Sequence, residues 1–332
     1  MTEPRFDVLG IGNAIVDIIG RCDDAYLARH GLAKGHMQLV DAATVLRLYD
    51  GMGPSVEISG GSVANSMVGI ASFGGKAAFI GKVADDEFGR IFAHDISAAG
   101  VTFTTPQAKG GNPTARSLIL VTPDGERTMN TFLGVSPELD HGEVDRDLVA
   151  ASRIVYLEGY LFDRPEAKAA FRQAARIAGE AGRQVALTLS DSFCVDRHRD
   201  EFLELIRGSV DILFANETEI TSLYQTTDFD SAAAHAARDA KLAVLTRSGQ
   251  GSLVLSGKER VEVAPERVPE IVDTTGAGDL YAAGFLFGIA RGLPLATAGR
   301  LGSIAAAEII SHIGARPEAR LKDLAIGAGI DL

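Results

Sequence analysis

The sequence of 332 residues contains no tryptophan, only two cysteines, and fewer basic than acidic side chains. Cys22 and Cys194 lie far apart, which argues against a disulfide framework and predicts a protein of the reducing cytoplasm. With 32 Lys and Arg against 44 Asp and Glu, the net charge is -12. Because binding to nucleic acid or to an anionic membrane needs a basic face, we expect neither partner.

Long hydrophobic runs and common nucleotide or metal motifs are also missing. The apolar segment from Val8 to Ile19 is interrupted by Asn13 and Asp17 and is too short to span a bilayer. No Gly-x-x-x-x-Gly-Lys-Ser/Thr segment occurs, so a P-loop enzyme is not expected, and the 7 histidines are scattered without ligand spacing. What the chain does contain is 46% hydrophobic residues, enough to build a large core.

Short β-branched runs alternate with helical patterns along most of the chain. The predicted strands are Phe6–Ile11, Ala77–Ile80, Arg153–Leu157, Gln184–Leu189, Val210–Ala215 and Leu242–Thr246. Helices are predicted between them, capped by Ser62 and Asp85 in the first half and running from about Pro165 to Glu180 in the second. This alternation predicts an α/β fold with a mostly parallel central sheet covered by helices on both faces.

Two segments, residues 13–56 and 101–136, break the alternation. The second reads as a hairpin, Ser117–Val121 and Glu126–Phe132, around a Thr-Pro-Asp-Gly turn. Together with strands at Ile15–Ile19 and Met37–Val40, it predicts a small β-sheet that projects as a lid. The expected division is a large domain of residues 1–12, 57–100 and 137–332, and a lid of residues 13–56 and 101–136, placed to exclude water during group transfer.

The segment Asp273–Asp279 reads Asp-Thr-Thr-Gly-Ala-Gly-Asp and leads directly into an apolar helix. A glycine-rich turn that opens a helix presents unpaired N–H groups and a positive dipole end, so Gly276, Ala277 and Gly278 predict an anion site. Asp279 is a carboxylate in this first turn. One interpretation is that it only complements the dipole; we favour the other, that it accepts a proton.

Polar residues in two earlier segments are candidates for substrate binding. Asn13 and Asp17 interrupt an apolar strand, where a half-buried carboxylate needs a partner such as a pair of hydroxyls or an internal hydrogen bond. Gly60 and Gly61 permit close approach to the backbone, and Asn65 follows one helical turn later. The alternative for this second segment is a tight turn before a helix.

Two further segments follow predicted strands at the carboxyl edge of the sheet, where ligands of α/β proteins gather. Asn216 and Glu219 form either a helix-capping box or a site for hydrated Mg²⁺ near phosphates. Thr246, Arg247 and Gly249 end another strand with a cation and a flexible turn, which suits either a nucleotide phosphate or a charged surface.

Gly60-Gly61 with Asn65, Asn216 with Glu219, and the Asp273–Asp279 motif, in this order, resemble the ribokinase-like (PfkB) family of carbohydrate and nucleoside kinases. Within it, the Gly12-Asn13 and Asp17 segment is most similar to adenosine kinases. The resemblance implies a three-layer α/β/α fold with the lid. It implies that Asp279 is the base, that Gly276, Ala277 and Gly278 form the anion hole, and that Asp17, Gly61 and Asn65 bind sugar hydroxyls.

For the phosphoryl donor, the same resemblance implies ATP with Mg²⁺ organised by Asn216 and Glu219. Thr246 and Arg247 would border ATP, and the segment containing Ser303 and Ala306 would lie near its base. The family often keeps a monovalent cation such as K⁺, and here Asp273 and Thr275 match the positions expected for it.

The resemblance implies phosphorylation of the 5'-hydroxymethyl group of a nucleoside, with adenosine as the leading acceptor. One departure concerns Leu161, which stands where eukaryotic adenosine kinases have an aromatic residue that stacks on adenine; Tyr160 or Phe132 are candidates to replace it. A ribokinase- or fructokinase-like sugar kinase is the second hypothesis, and a non-catalytic sensor is the third. A monomer and a homodimer formed through open lid edges both remain open.

Overall fold

The computed structural model describes residues 3–332, and within them two β-sheets are flanked by twelve helices. The strands are β1 (Phe6–Ile11), β2 (Ile15–Arg21), β3 (Met37–Leu39), β4 (Ser55–Gly60), β5 (Ala77–Ile80), β6 (Val101–Phe103), β7 (Ala115–Val121), β8 (Arg127–Phe132), β9 (Ser152–Glu158), β10 (Gln184–Thr188), β11 (Ile212–Asn216), β12 (Leu242–Thr246), β13 (Ser252–Ser256) and β14 (Glu259–Val263). The helices are α1 (Asp24–His30), α2 (Ala42–Gly51), α3 (Ser62–Ser72), α4 (Glu87–Ala98), α5 (Arg146–Ala150), α6 (Pro165–Glu180), α7 (Ser192–Ser209), α8 (Glu217–Leu223), α9 (Phe229–Asp239), α10 (Ala277–Ala290), α11 (Leu295–Ile309) and α12 (Leu321–Gly327).

The large sheet has nine strands in the order β14-β13-β12-β11-β10-β9-β1-β5-β6. All neighbours are parallel from β12 to β6, and β13 and β14 are added antiparallel at one end. Every residue of β1 is buried, as expected for a central strand covered on both faces. One hydrophobic core lies on each side of this sheet, which confirms the predicted three-layer α/β/α architecture.

The small sheet has five strands in the order β3-β8-β7-β2-β4 and includes the predicted hairpin of β7 and β8. Its boundaries differ from those expected. β4 pairs antiparallel with β2, so residues 57–60 belong to the small sheet, whereas β6 pairs with β5 and places residues 101–103 in the large one. Both errors concern segments whose sheet is decided by the strand they pair with, which the turn residues beside them do not reveal.

The first turns of two helices also differ from the prediction. Ser62 is the first residue of α3 and not its cap, because Gly61 precedes it with a φ of 103°, and the Ser62 hydroxyl is used elsewhere. The cap of α4 is Asp86, whose Oδ1 accepts from the Gly89 N–H at 2.8 Å, and not Asp85. Both changes concern which polar group satisfies the helix end, and the helices themselves lie where they were predicted.

Helix α10, which follows the glycine-rich motif, is buried on nearly all sides and packs against α11. A Cβ atom at Gly284 would lie 2.4 Å from the Leu301 carbonyl oxygen, and one at Gly288 would lie 2.8 Å from Ala298. These glycines therefore allow α10 and α11 to approach closely. No helix among residues 3–332 has the length and apolar character needed to cross a bilayer.

Candidate active site

A cleft of about 760 Å³ lies between the carboxyl ends of the large-sheet strands and the small sheet. Twelve of the residues singled out from the sequence line it together: Asn13, Asp17, Gly61, Asn65, Asn216, Glu219, Thr246, Thr275, Gly276, Ala277, Gly278 and Asp279. They come from segments far apart in the chain. The sheet edge at which they were expected to gather is thus where they meet.

Asp279 lies in the first turn of α10, and both of its carboxylate oxygens are held by α3. Oδ1 accepts from the Ser62 hydroxyl at 2.6 Å, and Oδ2 accepts from the Asn65 amide at 3.0 Å. Burial raises the pKa of Asp279, while these two hydrogen bonds and the nearby charge of Arg316 oppose the rise. The result is a carboxylate that is fixed in direction and more basic than an exposed aspartate.

The turn before Asp279 has the form of an anion hole. Gly276 adopts a left-handed φ of 78°, and a Cβ there would lie 2.9 Å from that of Ala315, so glycine is required. The Ala277 N–H donates to the Thr274 carbonyl at 3.2 Å and is not free for a ligand. Within residues 3–332, the N–H groups of Gly278 and Asp279 have no protein acceptor, so they are available to an anion.

Asp17, on β2, faces the glycine pair that joins β4 to α3. A Cβ at Gly60 would lie 2.3 Å from Asp17 Oδ2, so Gly60 makes room for this carboxylate instead of lining the cleft itself. Burial raises the pKa of Asp17 to about 6, against the opposing charges of Arg316 and Arg127. No hydrogen bond within residues 3–332 satisfies its carboxylate, which leaves it available to hydroxyl groups in the cleft.

Asn13 serves a different purpose from the one expected, because its side chain is used internally. Its amide nitrogen donates to Glu158 Oε1 at 2.6 Å, and its oxygen accepts from the Ser136 hydroxyl at 2.9 Å. Glu158, which the sequence analysis missed, also accepts from the Val63 N–H at the start of α3. Burial raises the pKa of Glu158 to about 7. Its position at the end of β9, on the ligand edge of the sheet, was the signal that could have identified it.

Asn216 and Glu219 form the capping box that the sequence offered as one interpretation. Asn216 Oδ1 accepts from the Glu219 N–H at 2.8 Å, and Glu219 Oε2 accepts from the Asn216 N–H at 2.9 Å. Yet both residues also line the cleft, and burial raises the pKa of Glu219 to about 7. No ion pair within residues 3–332 neutralises this buried acid, so its environment suits a hydrated cation as well.

The other residues expected near a nucleotide are not in the cleft. Arg247 pairs with Glu217 at 3.3 Å and lies over the Phe229 ring, and Gly249 is exposed in the next turn. The Ser303 hydroxyl donates to the Ala264 carbonyl at 3.2 Å. Ala306 is half-buried against the core, and of this group only Thr246 reaches the cleft. The Arg247 and Ser303 side chains each already have a partner within the protein fold.

Asp273 does not fit the predicted monovalent-cation site. Its Oδ1 accepts from the Thr275 N–H at 3.0 Å, and its Oδ2 accepts both the Gly314 N–H at 3.1 Å and the Arg127 guanidinium. A cation bound here would have to share the Asp273 carboxylate with Arg127, a buried arginine of the small sheet. Nor do the described residues, 3–332, contain any cluster of three or more His, Cys, Asp or Glu side chains that could hold a metal.

Leu161 is not a cleft residue either. The turn Gly159–Asp163 is a 3-10 helix, in which side chains three residues apart face the same way. Tyr160 and Asp163 accordingly line the cleft, whereas Leu161 is buried in the core. Phe132, the other candidate for an apolar face, packs against the opposite core.

The apolar mouth of the cleft is formed instead by residues that the sequence analysis did not select. Phe193, at the start of α7, is 74% exposed, and Met37 and Leu39 on β3 are 54% and 62% exposed. Large apolar side chains that stay exposed beside a cleft are typical of a ligand-binding surface. Phe193 follows β10 at the ligand edge of the sheet, which was the available signal.

Comparison with known proteins identifies the family. The profile described as pfkB family carbohydrate kinase matches residues 55–320. The chain belongs to the pfkB family. It is therefore a kinase of this family, and the cleft described above is its candidate active site.

Individual members of the pfkB family differ in what their names say they phosphorylate. A crystal structure of Sinorhizobium meliloti adenosine kinase superposes with a TM-score of 0.90 at 56% identity, covering 98% of this chain and 99% of that one. Adenosine kinase of Saccharomyces cerevisiae is 27% identical over 337 residues, 95% of this chain and 96% of the yeast protein. The Arabidopsis thaliana protein named "Probable fructokinase-6, chloroplastic" is 32% identical over 247 residues, 71% of this chain and 63% of the plant protein.

Proposed function

We propose that this pfkB-family kinase transfers the γ-phosphoryl group of ATP to the 5'-hydroxyl of a nucleoside, with adenosine as the acceptor and AMP as the product. The observation that carries the proposal is the arrangement around Asp279. Its carboxylate is aimed by Ser62 and Asn65 and lies beside the free N–H groups at the start of α10. A site that only binds phosphate would have no use for a half-buried acid at this position.

In the proposed reaction, the acceptor hydroxyl attacks the γ-phosphorus and a new oxygen–phosphorus bond forms. The bond between the γ-phosphorus and the bridging oxygen breaks, and ADP leaves. Asp279 takes the hydroxyl proton, while the Gly278 and Asp279 N–H groups stabilise charge on the transferring group. Because the transition state of phosphoryl transfer is loose, a carboxylate of modest basicity is sufficient for a late proton transfer.

Mg²⁺ would be held through its water ligands by Glu219 and Asn216 and would neutralise part of the phosphate charge. The protein itself contributes orientation at this end of the cleft. The capping box fixes both side chains. Because Glu219 is buried, its negative charge favours the binding of a cation beside it.

The acceptor side supports a ligand that carries both hydroxyls and an apolar ring. Within residues 3–332, the Asp17 carboxylate accepts no hydrogen bond and the buried Asn65 Oδ1 has no donor. Buried acceptors of this kind are satisfied by ligand hydroxyls such as those of ribose. Phe193, Tyr160 and the β3 side chains then offer an apolar surface for a base, which a free hexose would leave uncovered.

A matched comparison of acceptors tests this proposal. Purified protein with Mg²⁺ and ATP is assayed for ADP formation with adenosine, other nucleosides, ribose and fructose. We expect adenosine to give the highest kcat/KM, and Phe193→Ala to raise KM for adenosine more than for any free sugar. A clear preference for fructose, unaffected by Phe193→Ala, would establish the sugar kinase that the plant relative suggests. Ligand binding without ADP formation would refute catalysis altogether.

A further inference from the structure

Arg316 is a half-buried cation that no motif in the sequence singled out. It follows Gly314 and Ala315, which both contact the loop of residues 273–278, here called the anion-hole loop. The Gly314 N–H donates to Asp273 Oδ2 at 3.1 Å, and Ala315 packs on Gly276. The backbone that carries Arg316 is therefore fixed to one side of the cleft.

On the opposite side of the cleft, the guanidinium hydrogen-bonds residues 59–64, here called the glycine turn. Its Nε donates to the Ser59 carbonyl at 2.8 Å, and Nη1 donates to the Ala64 carbonyl at 2.9 Å. Nη2 donates to the Ser59 carbonyl and, at 2.9 Å, to the Ser59 hydroxyl. Arg316 thus binds the glycine turn at both of its ends.

The glycine turn has little freedom to move except as a unit. Asp95 on α4 accepts from the Ser59 N–H at 2.8 Å, and the left-handed Gly61 lies against the Asn13 carbonyl, where a Cβ would come within 2.1 Å. Ser62 lies within this turn and Asn65 directly follows it, and these are the two residues that hold Asp279. Displacing the turn would therefore misalign the carboxylate.

The charge of Arg316 is not neutralised by a direct ion pair within residues 3–332, because the acceptors around its guanidinium are carbonyls and a hydroxyl. Removing a cation from water in this way is costly unless opposite charges lie nearby. Three carboxylates surround it, Asp17 on β2, Asp95 on α4 and Asp279 on α10. The acids Glu158 and Glu219 face Asp279 from β9 and α8, so Arg316 lies amid a cluster of acids, with Arg127 on β8 as a second positive charge near Asp17.

We infer that Arg316 is a positioning residue for phosphoryl transfer, which fastens the glycine turn to the anion-hole loop and so keeps the partners of Asp279 in place. The inference rests on the proposed role of Asp279 as the base. A second consequence is electrostatic. Burial raises the pKa values of Asp17 and Asp279, and the fixed cation opposes that rise for both.

Two variants separate the positioning and the electrostatic contributions. Arg316→Met removes both the charge and the hydrogen bonds to the glycine turn, whereas Arg316→Lys keeps the charge. Arg320→Met, which removes an exposed arginine from the same segment, is the control. Each is assayed with whichever acceptor the wild type turns over. For Arg316→Met we expect kcat to fall about 100-fold, as a misplaced reacting group does, with little change in KM for ATP. The acid limb of the pH profile should move to higher pH. Arg316→Lys should restore the limb but only part of kcat.

Amide hydrogen exchange without substrates provides a readout that does not depend on activity. In Arg316→Met, the amides of residues 59–65 should exchange faster while those of α6 stay protected. Wild-type kcat with an unmoved acid limb, or exchange that rises equally throughout the protein, would overturn the inference. If Arg316→Met does not fold, the same measurements on Arg316→Lys decide. A wild type with no activity toward any acceptor would refute the proposed function, while localised exchange would still identify Arg316 as the residue that holds the turn.

Discussion

The two halves of the cleft are built by different kinds of contact. On the acceptor side, Asp279 is held from α3, more than 200 positions away in the chain, with separations of 217 and 214 residues. On the nucleotide side, Asn216 and Glu219 hold each other across three residues. The proposed acceptor half is therefore held by contacts between distant segments, whereas the proposed nucleotide half is a local helix cap that includes a buried acid.

Removal of the proposed base, Asp279, should cause the largest loss of activity. Asp279→Asn keeps the shape and the hydrogen-bonding size of the side chain but cannot take a proton, so turnover should fall by roughly 10²- to 10⁴-fold. ATP binding, measured by calorimetry, should persist. Asp323→Asn, which removes an acid from the first turn of α12, is the control for a simple dipole effect. Near wild-type turnover in Asp279→Asn would move the catalytic base to another residue.

The next largest effect should come from the residues that aim Asp279. The sequence alone predicts that Asn65→Ala mainly raises KM, but the contact to Asp279 Oδ2 means that kcat should fall as well. A hydrogen bond to a charged group is worth about 1.5–3 kcal/mol, so Asn65→Ala and Ser62→Ala should each lower kcat about 10- to 100-fold. Ser66→Ala is the matched control, because Ser66 binds the Asp279 carbonyl and not its carboxylate. Equal losses in all three variants would contradict this division.

On the nucleotide side, Glu219→Gln tests whether the acid does more than cap a helix. The expected result is a higher KM for ATP with an unchanged KM for the acceptor, since the charge that would attract hydrated Mg²⁺ is gone. Glu217→Gln on the same helix is the control, because Glu217 pairs with Arg247 away from the cleft. If Glu219→Gln alters only the thermal midpoint, the capping role is sufficient to explain this residue.

Acid conditions should affect stability and activity in opposite directions. Glu158, Glu219 and Asp17 have pKa values raised by burial to about 7, 7 and 6, above those of the unfolded chain. The folded state then binds more protons, so its stability rises as pH falls from 8 towards 6. Turnover should fall over the same range as Asp17 becomes protonated. Thermal midpoints and kcat/KM at each pH test this, and Glu158→Gln should flatten the stability curve. A thermal midpoint and a kcat/KM that fall together as the pH is lowered would contradict this prediction.

The smallest effect concerns K⁺. Because Arg127 already occupies Asp273, exchanging K⁺ for choline should leave turnover of the wild type nearly unchanged. Arg127→Ala would free the carboxylate, and its residual activity should then depend on K⁺. Strong activation of the wild type by K⁺ would mean that the Arg127 ion pair opens during the reaction.

Strands, helices and turns that depend only on neighbouring residues could be predicted from the sequence. The buried strands β5 and β12 and helix α6 were predicted with their observed bounds, because apolar runs and a proline at a helix start are signals within a few residues. The anion-hole loop was found for the same reason. The boundary at β4 could not be predicted, since its pairing with β2 depends on a partner some forty residues away.

The errors within the site have a common physical cause. Arg247, Ser303 and Asp273 are polar residues near the expected places, but each is satisfied by a protein group that no spacing rule reveals. Arg316 was missed because its role depends on contacts 252 and 257 residues away. Leu161 was selected by its place in the resemblance, but the 3-10 turn Gly159–Asp163 buries its side chain in the core.

The exposed ring of Phe193 has a practical consequence for observing the enzyme at work. Since the chain contains no tryptophan, Phe193→Trp would give it a single indole at the mouth of the cleft. Its fluorescence would come from one known place, against a background of tyrosines only. Binding of a ligand at the mouth of the cleft could then be timed in a stopped-flow instrument, without attaching a dye and without waiting for product to accumulate.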